Sequence, residues 1–548
     1  MSQRTGTLAN GHKASTPLNR RQFIKNAGLF AAGSAVGCSL LSCNSAFHIP
    51  CLGPAPPPTP VPGMTYIRAS EIGCALDCDL STGWNKNSGG AATDDGPRIN
   101  AAMAAASADN PITLIIDGSA LISGLFLPAG GYWNIAGLGC GTGFFVKTGT
   151  NNDGIHNGPA AVLPNNPGAP APARGMNVSL SNFTLNGNQG NGFNGNSTSG
   201  TRQGSAVAWY FGINLTNLEN IVIEKVVVVR TSAYHIRLSN VGNVTVSGSV
   251  MQSAGLSTDG LHFDGPANDI TISNCDFKTG DDSIALNAPE GSGGDISRVR
   301  VSNCTFNSWS LMRLYTATPG LGKFKIDRVS VQNCNATLVE AAFLIGLNVG
   351  SLPNSVASLT ISDCNLTAPT VLALAENFGV IDLNNVTFTP SSSNMVWVPP
   401  EAMDVCAFVR PSPLYNDFPS VGSSLSFENC SINTDGHLPV LILGNNSRIG
   451  TLTFNGLAAQ PTTWVPELLF IELGSIGQLV LNSLNCDNIC SPVSEDGFLS
   501  IGSVSGTGVL ATAWEFPDAV MANGVPYISA STGSPSIKIN GVVEPYEQ

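Results

Sequence analysis

Three aspartates carry the clearest chemical signal in this chain: Asp259 in "STDGLHF", and Asp281 and Asp282 in "TGDDSIAL", 22 and 23 positions further on. Carboxylates at that interval become neighbours only if the chain returns to the same place once per interval. If it does, the three crowd one face and cannot all ionise freely, so at least one pKa rises while another stays low. The split supplies an acid and a base. One carboxyl could protonate a leaving oxygen while another activates water, which is the chemistry of glycoside hydrolysis; a spacing of ~6.5 to 9.5 Å leaves room for the water of an inverting reaction. The plainer readings are a run of solvated Asp turns or a Ca²⁺ site.

The element that must position them is a repeat. From residue 177 a unit recurs in which apolar and polar residues alternate and then meet Asn and a small apolar residue: "NVSLSNF", "NIVIEKV", "NVTVSGS", "DITISNC", "RVRVSNC", "RVSVQNC", "SLTISDC". Units beginning at Asn220, Asn243, Asp269, Arg298, Arg328, Ser358 and Val380 are offset by 23, 26, 29, 30, 30 and 22 residues. Period-2 alternation marks half-buried strands, and a unit of 20 to 30 residues that cannot bury its own apolar side must stack on its neighbours. The expected fold is therefore all-β, a right-handed parallel β-helix with equivalent strands ~4.8 Å apart. Cys275, Cys304, Cys334 and Cys364 fall at one phase of four coils, behind Asn274, Asn303, Asn333 and Asp363. They read as an interior ladder of small apolar side chains beside a ladder of turn residues. "TDDGPRINAAMAAASA" places Asp94 and Asp95 ahead of Pro97 and a run of helix formers, which predicts a capped helix plugging the N-terminal end of the solenoid.

A second strand follows each turn in the central coils. Taking Ile236/Leu238, Leu261/Phe263, Ile284/Leu286 and Met312/Leu314 as inward pairs leaves two outward files. One holds Arg237, His262, Ala285 and Arg313; the other holds Ser239, Asp264, Asn287 and Tyr315. Asp259 and Asp282 share a third, with Asp281 at its edge. Arg237, His262, Asp264, Asn287, Arg313 and Tyr315 are thus the expected exposed substrate-binding residues around the catalytic trio, with a structural hydrogen bond to Asp264 as the alternative reading of His262. The stretches 150–174 and 186–206 read as long loops that could wall a cleft, and Trp397 and Tyr415 as aromatics for either sugar stacking or the core.

Composition bounds the partners. Charged residues are 11% of the chain and the formal net charge is −13, so no basic face exists for nucleic acid. The segment "NRRQFIKNAGLFAAGSAVGCSLLSCNSAF" resembles a twin-arginine export signal, and "LLSC" ending at Cys43, or "AVGC" ending at Cys38, resembles a lipoprotein processing box. The expected organisation is an export signal over 1–43, a Pro-rich spacer over 44–63 and one β-helix domain over 64–548. A monomer is expected, in the periplasm, on the cell surface or outside the cell, touching a membrane only through a lipid on Cys43. Disulfides are permitted there, with Cys74/Cys78 and Cys486/Cys490 as candidate local pairs. The dispersed histidines predict no zinc, and no cofactor is expected.

At these aspartates the chain resembles glycoside hydrolase family 28, the polygalacturonase-like enzymes of the pectin lyase-like superfamily. "STDG" stands where that family has Asn-Thr-Asp, and "GDDSIAL" matches its Gly-Asp-Asp motif. The resemblance implies Asp281 as general acid, with Asp259 and Asp282 holding and activating the water. Two family motifs are missing: Ser310 stands near the His of Gly-His-Gly, and "VEAAFLIGLNV" replaces the coil with Arg-x-Lys, the pair that holds a galacturonate carboxylate. The resemblance therefore implies a polysaccharide substrate other than plain polygalacturonate. Two alternatives stay open at this point. One is a lyase in which the Asp cluster binds Ca²⁺ and Arg237 or Arg313 is the base, and the other is a non-catalytic glycan-binding or adhesin rod.

Overall fold

In a computed structural model, the structure describes residues 49–51, 53–150, 152–158, 170–189, 210–255, 257–318, 322–346, 352–374 and 377–391, and shorter stretches between 407 and 539. Among the described residues thirty-six strands join in a single sheet through parallel pairings between equivalent strands of successive coils. The register is the one the repeat requires: Ile221 pairs with Val244, Val244 with Ile270, Ile270 with Val299, Val299 with Val329 and Val329 with Leu359. The chain is a parallel β-helix. Asn220, Asn243, Asp269, Arg298 and Arg328, the residues that begin successive units, all take a left-handed backbone conformation with φ of 47–60°. A corner therefore falls at the same place in each coil.

The interior is built of like on like. Phe277 and Phe306 stack with ring centroids 5.0 Å apart, as do Phe427 and Phe454 at 4.9 Å. Cys275, Cys304, Cys334 and Cys364 are buried, and each thiol points at the carbonyl two residues back, at 3.3, 3.2, 3.2 and 3.1 Å. Their preceding residues, Asn274, Asn303, Asn333 and Asp363, are all left-handed with φ of 53–54°, as turn residues with short polar side chains can be.

The helix forms over Gly96–Met103 and buries Ile99 and Met103 against the first coils, so it does cover the end of the core. Its start differs from expectation. Asp95 sits at the cap position without capping; its buried carboxylate instead accepts the backbone N–H groups of Ala75 and Leu76 at 2.7 and 3.0 Å. Asp94 accepts the Gly96 N–H at 3.1 Å in its place.

Two further expectations are corrected. Part of the spacer over 44–63 is docked: Cys51 is disulfide-bonded to Cys140, Ala55 donates to the Leu138 carbonyl at 2.9 Å, and the Tyr66 hydroxyl donates to the Thr59 carbonyl. Proline's fixed φ leaves this segment little entropy to lose on docking, so a Pro-rich composition is compatible with attachment to the fold. Cys74 and Cys78 are buried free thiols rather than a pair. The side chains of Cys486 and Cys490, together with Trp397, Tyr415, the export segment with Cys38 and Cys43, and most of the two loops, lie outside the described residues. Among the described residues no helix is long and apolar enough to cross a membrane.

The Cys51–Cys140 bond closes a separation of 89 residues. Cys140→Ser should lower the unfolding free energy by about 2–4 kcal/mol through the freedom restored to the unfolded chain. Comparison of urea midpoints checks this, and equal midpoints in the oxidised protein and the variant would contradict it.

Candidate active site

The outward files are aligned as the sequence alternation implies. Arg237 pairs with His262, His262 with Ala285 and Ala285 with Arg313; Ser239 pairs with Asp264, Asp264 with Asn287 and Asn287 with Tyr315. Asp282 pairs with Ser310, and the Gly260 N–H donates to the Asp282 carbonyl at 2.9 Å, which puts Asp259 one rung above Asp282. The motif glycines follow from this closeness. A Cβ on Gly260 would lie 2.5 Å from the Ser283 carbonyl oxygen, and one on Gly280 would lie 2.3 Å from that of Gly255.

Asp259, Asp281 and Asp282 each offer a carboxylate oxygen within 4.8 Å of the others. Their surroundings differ. Asp282 is fully buried, accepts the Ser310 hydroxyl at 2.5 Å, and meets the Arg313 Nε at 2.7 Å. Asp281 is the most open, with 18% of its side chain exposed against 5% for Asp259 and none for Asp282. Its Oδ2 accepts the Ser257 N–H at 2.8 Å, and Arg313 lies 3.9 Å from its Oδ1. Burial, joined by the Asp281 charge, pushes the Asp259 carboxyl above its ordinary range. Burial also pushes Asp282 well above that range, against the opposing pull of Arg313.

A second cluster lies directly beside the first. The His262 Nδ1 is 2.7 Å from the Asp259 Oδ2, and its Nε2 is 3.1 Å from both Asp264 Oδ1 and Glu290 Oε2. Arg237 pairs with the other oxygen of Asp264. Tyr234 stacks on the imidazole with centroids 3.8 Å apart and an interplanar angle of 6°, and Phe211 stacks on Tyr234 at 5.1 Å. Burial pulls the His262 pKa down, but its bonds to Asp259, Asp264 and Glu290 outweigh it and hold it well above its ordinary value.

These contacts correct the expectation of an exposed binding surface. Arg237, His262, Asp264, Asn287 and Tyr315 are buried to 2% exposure or less, and Arg313 to 8%. Arg237 and Arg313 are ion-paired to aspartates rather than held out toward a ligand, and the Arg313 guanidinium sits 4.8 Å above the Tyr315 ring. Alternation fixed which side of the sheet these residues occupy, but not that aromatic rings and the 288–294 turn would cover that side. Glu290 was not foreseen, because it comes from that turn and carries no periodic signal.

Two groups have the composition of metal sites, His262/Asp264/Glu290 and Asp259/Asp281/Asp282. In each, a guanidinium already neutralises one carboxylate, Arg237 on Asp264 and Arg313 on Asp282. That is the electrostatic role a dication would otherwise fill.

The places of the two missing motifs are now visible. Ser310 puts its hydroxyl on Asp282. One rung on, Ser310 and Arg313 face Ala341 and Leu344, which pack with Ala373 in a small apolar cluster on that side of the sheet. No cation stands in that cluster.

Residues 175–308 match the family Glycosyl hydrolases family 28. The matched segment contains both aspartate motifs, and the resemblance read from them is borne out. No curated protein sequence matches the chain. Among solved structures, the chain is similar to a family 28 exopolygalacturonase of Yersinia enterocolitica, at 12% identity over 79% of this chain and 78% of that one, with a TM-score of 0.48. It is also similar to an exopolygalacturonase from Thermotoga maritima, at 11% identity over 62% and 89% of the two chains and a TM-score of 0.43. A tailspike protein of E. coli bacteriophage HK620, solved with a pentasaccharide, aligns at 12% identity over 82% and 78%, with a TM-score of 0.48.

These shifts imply a pH dependence. Asp259 and Asp282 are raised above 3.8 in the folded state, so the stability they contribute is complete below 3.8 and is lost as pH rises through their folded values. His262 is raised above 6.5, so its contribution is complete below 6.5 and is likewise lost on the way up. The thermal midpoint should therefore fall as pH rises above ~6.5. Calorimetry across that window checks the sign, and a rising midpoint would contradict it.

Proposed function

We propose that this protein is an exported glycoside hydrolase that cleaves a polysaccharide by acid/base catalysis with inversion, using Asp281 as the acid and Asp259 and Asp282 to hold and activate water. The observation that carries the acid/base reading is the meeting of three carboxylates from two successive coils, with one oxygen of each within 4.8 Å of the others; that is closer than the ~6.5–9.5 Å of an inverting pair, so inversion rests on the family resemblance and not on the spacing. The division of roles follows exposure and anchoring. Asp281, the most open of the three and oriented by the Ser257 N–H, is the carboxyl able to reach a glycosidic oxygen. Asp259 and Asp282 lie deeper on adjacent rungs, where a water lodged between them would be shielded from bulk solvent.

The substrate is a polysaccharide other than plain polygalacturonate. A uronate carboxylate needs a cation with free valences, and the positions one rung beyond Ser310 and Arg313 are occupied by Ala341 and Leu344. Arg313 itself spends its charge on Asp282 and Asp281. Export through the twin-arginine route, with a lipid on Cys43, fits a chain whose N-terminal segment is disulfide-linked to the fold, since such bonds persist in oxidising compartments. No cofactor enters this mechanism.

Asp281→Asn should reduce reducing-sugar release by about 10²–10⁴-fold on whichever member of a neutral and acidic glycan panel the wild type cleaves. Equal activity in the two would remove Asp281 as the acid. The initial anomer, read by proton NMR, tests inversion. Unsaturated products absorbing in the ultraviolet and lost with chelator would assign the reaction to a lyase instead.

A further inference from the structure

We infer that His262 is a positioning residue that fixes the Asp259 carboxylate for its part in the reaction, and that Glu290 and Asp264 in turn fix His262. This rests on the hydrolytic reading above. His262 is 1% exposed, and Asp259 is the member of the aspartate trio that it contacts. Its ring is constrained on every side. Nδ1 lies 2.7 Å from Asp259, Nε2 lies 3.1 Å from both Asp264 and Glu290, and the Asn287 amide nitrogen is 3.4 Å from Nε2. Tyr234 closes the ring face. Arg237 anchors Asp264 from the far side, so the support does not swing.

Asp259 needs such support. It lies between Ser257, whose φ of 60° places the chain in the left-handed region, and Gly260, so the local backbone does not by itself determine where the carboxylate points. The main chain of Asp259 is held from the coil before, where His235 directs both its backbone N–H, at 2.8 Å, and its Nδ1, at 2.7 Å, to the Asp259 carbonyl. The side chain is held by His262. Asp259 is thus gripped at its carbonyl and at its carboxylate by histidines of two successive strands, and one carboxylate oxygen is left for water. A charged base displaced by an ångström loses about 10²-fold in rate, which sets the size of effect to expect.

The turn over 288–294 folds back onto the sheet, with the Glu290 N–H on the Asn287 carbonyl at 3.1 Å and the Gly293 N–H on the Glu290 carbonyl at 2.9 Å. At Gly291 a Cβ would lie 2.2 Å from the Ser239 hydroxyl. The turn is packed tightly enough to deliver Glu290 to Nε2 and to keep it there.

The two ring nitrogens can be replaced separately. The amide nitrogen of Asn reaches the place of Nδ1, and that of Gln reaches the place of Nε2. On the glycan cleaved by wild type, His262→Gln should lose about 10²-fold in kcat with KM changed less than about threefold, while His262→Asn should stay within about tenfold of wild type. Thermal melts of both variants confirm that they are folded. Equal losses in the two, or a loss carried by KM, would overturn the positioning role. A readout independent of turnover is ¹⁵N-histidine NMR. Wild type should show two exchange-protected Nδ1–H protons, those of His235 and His262; the His262 proton, assigned by its loss in His262→Gln, should disappear in Asp259→Ala and persist in Asp281→Asn, and its absence in wild type would overturn the inference even if no panel glycan is cleaved. Failure to cleave any glycan while the proton is present would instead count against the hydrolytic reading alone.

Discussion

Everything in this molecule depends on the fixed register of parallel coils stacked at ~4.8 Å. A parallel pairing places each side chain over the equivalent side chain of the next coil, so whatever occupies one phase of the repeat becomes a ladder. Inside, the ladder is apolar: Phe277 on Phe306, and Cys275, Cys304, Cys334 and Cys364 in sequence. Outside, the same rule brings Asp259 over Asp282 and His262 beside Arg237. A slip of one residue would exchange the two sides and dissolve both the core and the site.

That register also creates the main cost of the site. Asp259, Asp264, Asp282, Glu290, Arg237, His262 and Arg313 are all less than a tenth exposed. Buried charge is tolerated only where it is paired and hydrogen-bonded, and here each carboxylate meets a cation or the imidazole. The pairing explains why the arginines cannot at the same time serve as open substrate clamps. It also separates the trio into an open member, Asp281, and two sheltered ones, which is the asymmetry an acid and a water-binding pair require.

The differences from the family pattern lie at the same rungs. Ser310 fixes Asp282, and Ala341, Leu344 and Ala373 take the side of the sheet where cations would hold a uronate. The proposed catalytic carboxylates and this apolar cluster are on neighbouring coils, so a solenoid can alter one rung without disturbing the next, because each coil's contacts are chiefly with its immediate neighbours.

The sequence by itself determined the architecture and the alignment of the files. Period-2 alternation and offsets of 22 to 30 residues are local properties, and they are enough to specify inward pairs such as Leu261/Phe263 and the meeting of Asp259 with Asp282. Only the tertiary structure decided what covers the outward face, because covering is done by groups outside the strands: Phe211 and Tyr234 from the connections that lead into two successive coils, and Glu290 from a turn. The same reason separates the remaining outcomes. Asp95 turned from a helix cap to the N–H groups of Ala75 and Leu76, and Cys51 found Cys140 across 89 residues. Alternation dictates which way a side chain faces; what it meets there is set by chain that arrives from elsewhere.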